Sequence, residues 1–189
     1  MNKSKRLTTF WAFLMVVAIV PAFPQTGTPA PLNLQQMRND IQIFEAILDQ
    51  ALNQVFSNPF ALVERVKGVY LADYGTTFTF LINIKAATME TPFGTIRRPE
   101  TADPKLREQK VEELRQRIIT ILGSYGNQIG QLRETDAVAV VAHIVDQNFS
   151  TKTQNKTIII KVLKKDLMDM ATRQTGAAEY RKKVQIVEY

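Results

Sequence analysis

The stretch Asp73-Tyr74-Gly75-Thr76-Thr77-Phe78-Thr79-Phe80-Leu81-Ile82-Asn83-Ile84 decides how this chain is read. Phe78, Phe80, Ile82 and Ile84 fall on one side of an extended backbone. Thr77, Thr79 and Asn83 fall on the other, and Leu81 alone breaks the polar side. Strict alternation of this kind marks a half-buried antiparallel strand. The residues before it, Val66 to Ala72, are rich in β-formers, and Asp73-Tyr74-Gly75 supplies a turn with a glycine free to take positive φ. The two runs therefore read as a hairpin whose Phe78/Phe80/Ile82/Ile84 side needs a cover.

Two helices flank the hairpin and offer one. Asn33 and Gln36 make a capping-box pattern, with Leu32 and Met37 placed for a hydrophobic staple. Leu34, Met37, Ile41, Phe44, Leu48, Ala51 and Val55 then recur at alternating steps of three and four, one stripe on a helix that Ser57-Asn58-Pro59 ends. Asp103-Pro104 opens a second helix with the stripe Val111, Leu114, Ile118, Ile121 and Tyr125. Gly123, Gly126 and Gly130 each weaken it by about 1 kcal/mol relative to alanine, which predicts an end or a bend near Ser124–Gly130. Both stripes are too short for the three to four heptads of a coiled coil.

A second strand pair follows. Ala137 to Val145 is apolar on both sides and reads as a central strand; Gln147 to Lys156 is a polar loop; Thr157 to Leu163 returns with Ile158, Ile160 and Val162 together. Asp166 caps a short helix that Gly176 stops, Ala177 to Lys183 has room for a further turn or two, and Val184 to Val187 reads as a last edge strand. The expected fold is α+β in the order α-β-β-α-β-β-α: an antiparallel sheet of about four strands with two main helices on one face. Residues 86–102, with Pro92, Gly94, Arg97, Arg98 and Pro99, form an unusually long connection, the kind that carries function or moves.

The N-terminus has its own logic. Lys3, Lys5 and Arg6 precede an uncharged apolar run from Phe10 to Val20, closed by Pro21-Ala22 with small residues at Val20 and Ala22. This is the pattern of a signal peptide cleaved after Ala22. An uncleaved anchor wants about 20 apolar residues, and the run is shorter. The expected organisation is a signal peptide over 1–22, a Pro-rich linker over 23–32 and one α+β domain over 33–189. Taking 22 residues from 189 leaves 167 and lowers the net charge from +6 to +3, the size of one domain. Residues 151–189 hold nine Lys/Arg against four Asp/Glu, a basic third that suits an anionic surface or an acidic partner and equally suits a solvated face. Export argues against a nucleic-acid partner.

Chemistry is sparse. With no Cys and a single His, His143, the usual zinc sites lack ligands. Asp146-Gln147-Asn148-Phe149-Ser150 has oxygen ligands at calcium-loop spacing but Thr151 where the loop needs Gly and Thr157 where it needs Glu. Gly123-Ser124-Tyr125-Gly126 lacks the nucleophile-elbow spacing, and no phosphate-binding glycine motif occurs. No catalytic, cofactor or metal residue is assigned. The candidate interaction surface is Tyr70, Asp73, Tyr74 and Gly75 at the hairpin tip with Arg97 and Arg98 in the long connection, because binding residues concentrate on such loops.

The stretch Gly68 to Phe78, with Tyr180-Arg181-Lys182-Lys183-Val184 and Glu188-Tyr189, resembles exported proteins of Gram-negative bacteria. The resemblance implies a bacterial envelope origin and no particular activity. The expected function is a non-catalytic envelope protein, periplasmic or extracellular, that binds another protein or macromolecule. Two alternatives stand beside it: an exported hydrolase drawing on Asp73, Asp136, Asp146 and His143, and a small-ligand binder using the sheet face away from the helices.

Overall fold

The computed structural model describes residues 32–55, 61–83, 88–97, 104–145 and 156–189. The signal-peptide reading, most of the linker, Ile84, Arg98 and Asp146 lie outside them.

Helix α1 (Leu34–Val55) leads into the hairpin β1 (Ala61–Leu71) and β2 (Gly75–Asn83). A small two-stranded sheet, β3 (Thr88–Thr91) and β4 (Gly94–Arg97), precedes α2 (Pro104–Tyr125) and a 3-10 turn at Gly126–Gln128. Strands β5 (Ala137–Val145) and β6 (Lys156–Leu163) follow, then α3 (Lys164–Ala171), α4 (Ala177–Lys183) and β7 (Gln185–Glu188). The main sheet has five strands in the order β1-β2-β5-β6-β7.

The expectation of an antiparallel sheet of about four strands is corrected in two ways. The edge strand β7 pairs with β6, which makes five strands in the main sheet. At the centre, β2 and β5 run parallel, from Gly75 opposite Ala137 to Asn83 opposite Val145. Each hairpin is antiparallel as read, but a chain returning to β5 through α2 arrives at the same end of the sheet from which β2 set out. That crossover makes the middle pair parallel. The long connection at 86–102 likewise contains the β3–β4 hairpin.

One face of the sheet carries the core. Phe78, Phe80 and Ile82 of β2, Val138, Val140, Ala142 and Ile144 of β5, and Ile158, Ile160 and Val162 of β6 are all buried in one cluster with Met37, Ile41, Phe44, Leu48 and Leu52 of α1 and Leu114, Ile118, Ile121 and Leu122 of α2. The Phe44 and Phe78 rings meet at 4.7 Å between centroids, within the range of favourable aromatic pairs. The sequence stripe of α1 holds through its middle, while Leu34 at the start is exposed. Helix α2 buries more than its stripe, Ile119 and Leu122 included, because α3 and Tyr180 of α4 lie against it. Tyr180 of α4 is buried where Gly123 has no side chain, and its hydroxyl donates to the Ile119 carbonyl at 3.3 Å. The glycines that weaken α2 as a helix thus make room for the chain's C-terminal part, and the helix ends at Tyr125 as the sequence predicts.

Candidate functional site

The hairpin tip is built for the fold before it is built for a partner. Asp73 takes φ 61° and Gly75 φ 122°; aspartate tolerates the left-handed region through its short polar side chain, and glycine through its lack of one. Gly75 is buried, and a Cβ there would meet Ala137 backbone, 2.7 Å from its nitrogen. It is therefore the close contact from which the parallel pair starts. The Ala137 N–H donates to the Tyr74 carbonyl at 2.7 Å.

The tip residues part company across the sheet. Tyr70 is half-buried and packs on the core. Tyr74 is 36% exposed, and the Lys161 ammonium stands 5.2 Å from its ring centroid, in cation–π range. Lys161 is on β6, so the path from the turn crosses β5, where Ala137 and Ala139 are almost fully buried on the side away from the helices. Arg97 is the last residue of β4, and Arg98 lies outside the described residues. Of the four candidates at the tip, Tyr70 packs on the core, Gly75 serves the backbone contact, and Asp73 and Tyr74 are accessible.

The acid pair considered for hydrolysis is occupied. Arg133 Nη2 reaches Asp136 Oδ1 at 2.8 Å and Asp73 Oδ1 at 3.3 Å, and the Arg133 backbone N–H donates to Asp136 Oδ2 at 2.9 Å. Asp136 is buried, and the hydrogen bond and charge it offers raise the Arg133 pKa. His143 sits toward the other end of β5, about 20 Å away at strand rise, with Nδ1 3.3 Å from Thr157 Oγ1. Arg133 thus joins Asp73 to Asp136, while His143 stays apart from both. Among the described residues no group of three or more His, Asp or Glu is placed to hold a metal ion.

Lys164 is the buried cation that sequence reasoning passed over. It is 3% exposed, and its ammonium donates to the carbonyls of Asn127 and Ile129 at 2.5 and 2.9 Å. Those carbonyls close the turn after α2, where a helix end leaves acceptors without partners. Burial lowers the Lys164 pKa, and the Asp40 carboxylate opposes that shift. This lysine ties the start of α3 to the end of α2; only its position after an apolar strand hinted at burial.

The sheet face turned away from the helices is partly accessible. Cross-strand registers place Lys67, Thr79, Val141, Ile159 and Val187 in one row, and Val69, Thr77, Ala139, Lys161 and Gln185 in the next. Leu71 and Leu163 extend it at one end, Leu81 and His143 at the other. Val69 is 49% and Leu71 46% exposed. A groove of about 380 Å³ with a mixed polar and apolar lining also opens on the helix layer, between Ile47, Gln50 and Ala51 of α1 and Thr120, Ile121 and Tyr125 of α2, with Gln54 accepting from Arg117. No described helix is long and apolar enough to cross a membrane. No protein-family model matches the chain, and neither does any curated protein or solved structure.

Proposed function

We propose that this chain is an exported, non-catalytic envelope protein that binds another protein through the open face of its five-stranded sheet. The observation that carries the reading is the apolar content of that face: Val69, Leu71 and Leu163 are exposed and Leu81, Val141 and Ile159 are partly exposed. Exposed apolar side chains gathered on one face of a domain mark a candidate interaction site; here they flank the Tyr74–Lys161 contact. The ionisable residues interleaved with it are Lys67, Lys161 and His143, against Glu64 at the far end of β1. This favours a partner surface that is apolar with carboxylates at its rim. Export rests on the leader pattern of residues 1–22.

The test is capture from envelope extract, with mass spectrometry of what stays bound. The wild-type protein is compared with Val69→Glu and Leu71→Glu, both at exposed positions that the fold tolerates. A partner retained by the wild type and lost from both variants supports the reading. Equal retention by all three refutes it.

A further inference from the structure

The two edges of the main sheet are finished in opposite ways. Strand β1 has several of the devices that keep an edge from pairing with another chain. Its register is broken by irregularities between Leu62 and Glu64 and between Glu64 and Lys67, and it carries Glu64, Arg65 and Lys67. Its outward N–H groups are also taken from the helix side. Val66 donates to Asp49 Oδ1 at 2.8 Å and Gly68 to Glu45 Oε1 at 2.5 Å. These two carboxylates sit one turn apart on α1.

Strand β7 is short but has neither the irregular register nor the side-chain caps of β1. It pairs with β6 in unbroken register from Gln185 to Glu188, and all four residues are exposed. It contains no proline and no lysine. Its one charge is tied down, since Glu188 is held by Arg115 and by Lys156 at 2.6 Å, and those bonds lower its pKa. Thr157 and Tyr189 exchange both backbone hydrogen bonds, at 2.7 and 3.1 Å. Antiparallel alternation then turns Gln185 and Val187 toward β6 and leaves the N–H and C=O of Ile186 and Glu188 pointing outward.

We propose that a second copy of this chain pairs with β7 through its own β7, antiparallel about a two-fold axis at Val187. In that register Ile186 of each copy exchanges both backbone hydrogen bonds with Glu188 of the other, so every outward group of the strand is satisfied. The alternative axis at Glu188 sets two carboxylates face to face, and an axis at Ile186 calls on Val184, whose N–H already donates to the Arg181 carbonyl at 3.4 Å. The axis at Val187 also continues an existing row. Val141, Ile159 and Val187 lie side by side across β5, β6 and β7, and Val187, 53% exposed at the end of that row, meets its counterpart. The result is a ten-stranded sheet with the apolar row running through the dyad. It makes no use of Val69 or Leu71, so it stands or falls apart from the proposed partner-binding face.

Sedimentation equilibrium of the purified protein from about 5 µM to about 500 µM covers the weak range expected of so short an edge. The expected result is a reversible monomer–dimer equilibrium. Ile186→Pro removes an outward donor and no bond to β6, and Val187→Lys sets two ammonium groups across the axis at an exposed position. Each is expected to weaken the dimer at least about tenfold while the far-UV circular dichroism stays native. The register is tested separately. The chain has no Cys, so Val187→Cys introduces the only thiol, with Cα atoms about 4.5 Å apart across a non-hydrogen-bonded pair, within disulfide reach. Ile186→Cys places its thiols two residues out of register. Faster dimer cross-linking by Val187→Cys in a glutathione buffer is expected. A wild-type protein that stays monomeric throughout, a dimer indifferent to both edge variants, or equal cross-linking by the two cysteines overturns the proposal.

Discussion

Gly75→Ala is the substitution most sharply specified by the geometry. Residue 75 sits at φ 122°, a region that an L side chain enters at a cost of about 1–3 kcal/mol. The new methyl group also lands among backbone atoms of Ala137, 2.7 Å from its nitrogen and 2.9 Å from its carbonyl carbon. A backbone strand cannot swing aside as a flexible side chain can, so overlap adds at least another 1 kcal/mol or so. The combined loss is about 3 kcal/mol or more, a large fraction of a typical domain's 5–15 kcal/mol. Urea unfolding followed by far-UV circular dichroism reads it directly: with a slope near 2 kcal/mol/M, the midpoint falls by about 1.5 M. Gly94→Ala is the internal control. Gly94 has φ 115° but nothing within 4 Å of its missing Cβ, so only the torsional strain applies, and it falls on the small β3–β4 hairpin. If Gly75→Ala unfolds within about 0.3 M of the wild type, the close β2–β5 approach is not what holds this junction, and the reasoning fails.

Lys164→Met leaves the carbonyls of Asn127 and Ile129 without their donor, and the expected loss is about 1–3 kcal/mol at neutral pH, by the same urea measurement. Because the folded pKa of Lys164 lies below the ordinary 10.5, the unfolded state binds the extra proton as pH falls below 10.5. Its contribution to stability therefore rises with pH between the lowered folded value and 10.5, and the Met variant lacks that slope. Tyr180 acts in the opposite sense: burial raises its pKa above 10, so its contribution is intact below pH 10 and is lost as pH climbs above it. Tyr180→Phe flattens that alkaline decline in thermal melts taken across the range. Replacing Glu45 and Asp49 together by Ala strips the outward N–H groups of Val66 and Gly68, for an expected loss of about 1–3 kcal/mol per group left unsatisfied. Light scattering at high concentration is expected to detect association through the opened β1 edge.

The two striped helices, both hairpins and the break in α2 were legible because each rests on short-range pattern. The Met37-Ile41-Phe44-Leu48 stripe and the Phe78-Phe80-Ile82 alternation survive intact in the core. What pattern does not carry is which edges of separate hairpins meet. Nothing in Thr76 to Asn83 or in Ala137 to Val145 records that they lie parallel, although the apolar character of both sides of the second run did mark it as central. The stripe of α2 reads as one-sided in sequence, whereas Tyr180, some sixty residues later in the chain, covers a second side at Ile119 and Gly123. At the candidate site, Asp73 and Gly75 take the positive φ that turn chemistry allows, while Gly75, also a candidate for binding, belongs to the backbone contact with Ala137. Tyr70 and Tyr74, four apart on the two arms of a turn, look equivalent in sequence and end on opposite sides of the sheet. Glu45 and Asp49 reach the β1 edge, but two acids one turn apart beside an apolar stripe read in sequence as a solvated face.

The parallel pair at the centre also orders events in time. Every neighbour of β2 except β5 is local in sequence, whereas Gly75 cannot find Ala137 until the residues between them, α2 included, have emerged and been brought back across the sheet. The α1–β1–β2 half and the β5–β6 hairpin can each form early, but neither has a closed core until they meet. Such non-local closure slows folding relative to a sheet of nested hairpins. In the interval α1 covers Phe78, but the first half lacks its α2 cover and the Val138-Val140-Ile144 face has none, so a chain emerging N-terminus first would hold an incompletely covered half until its last third had followed.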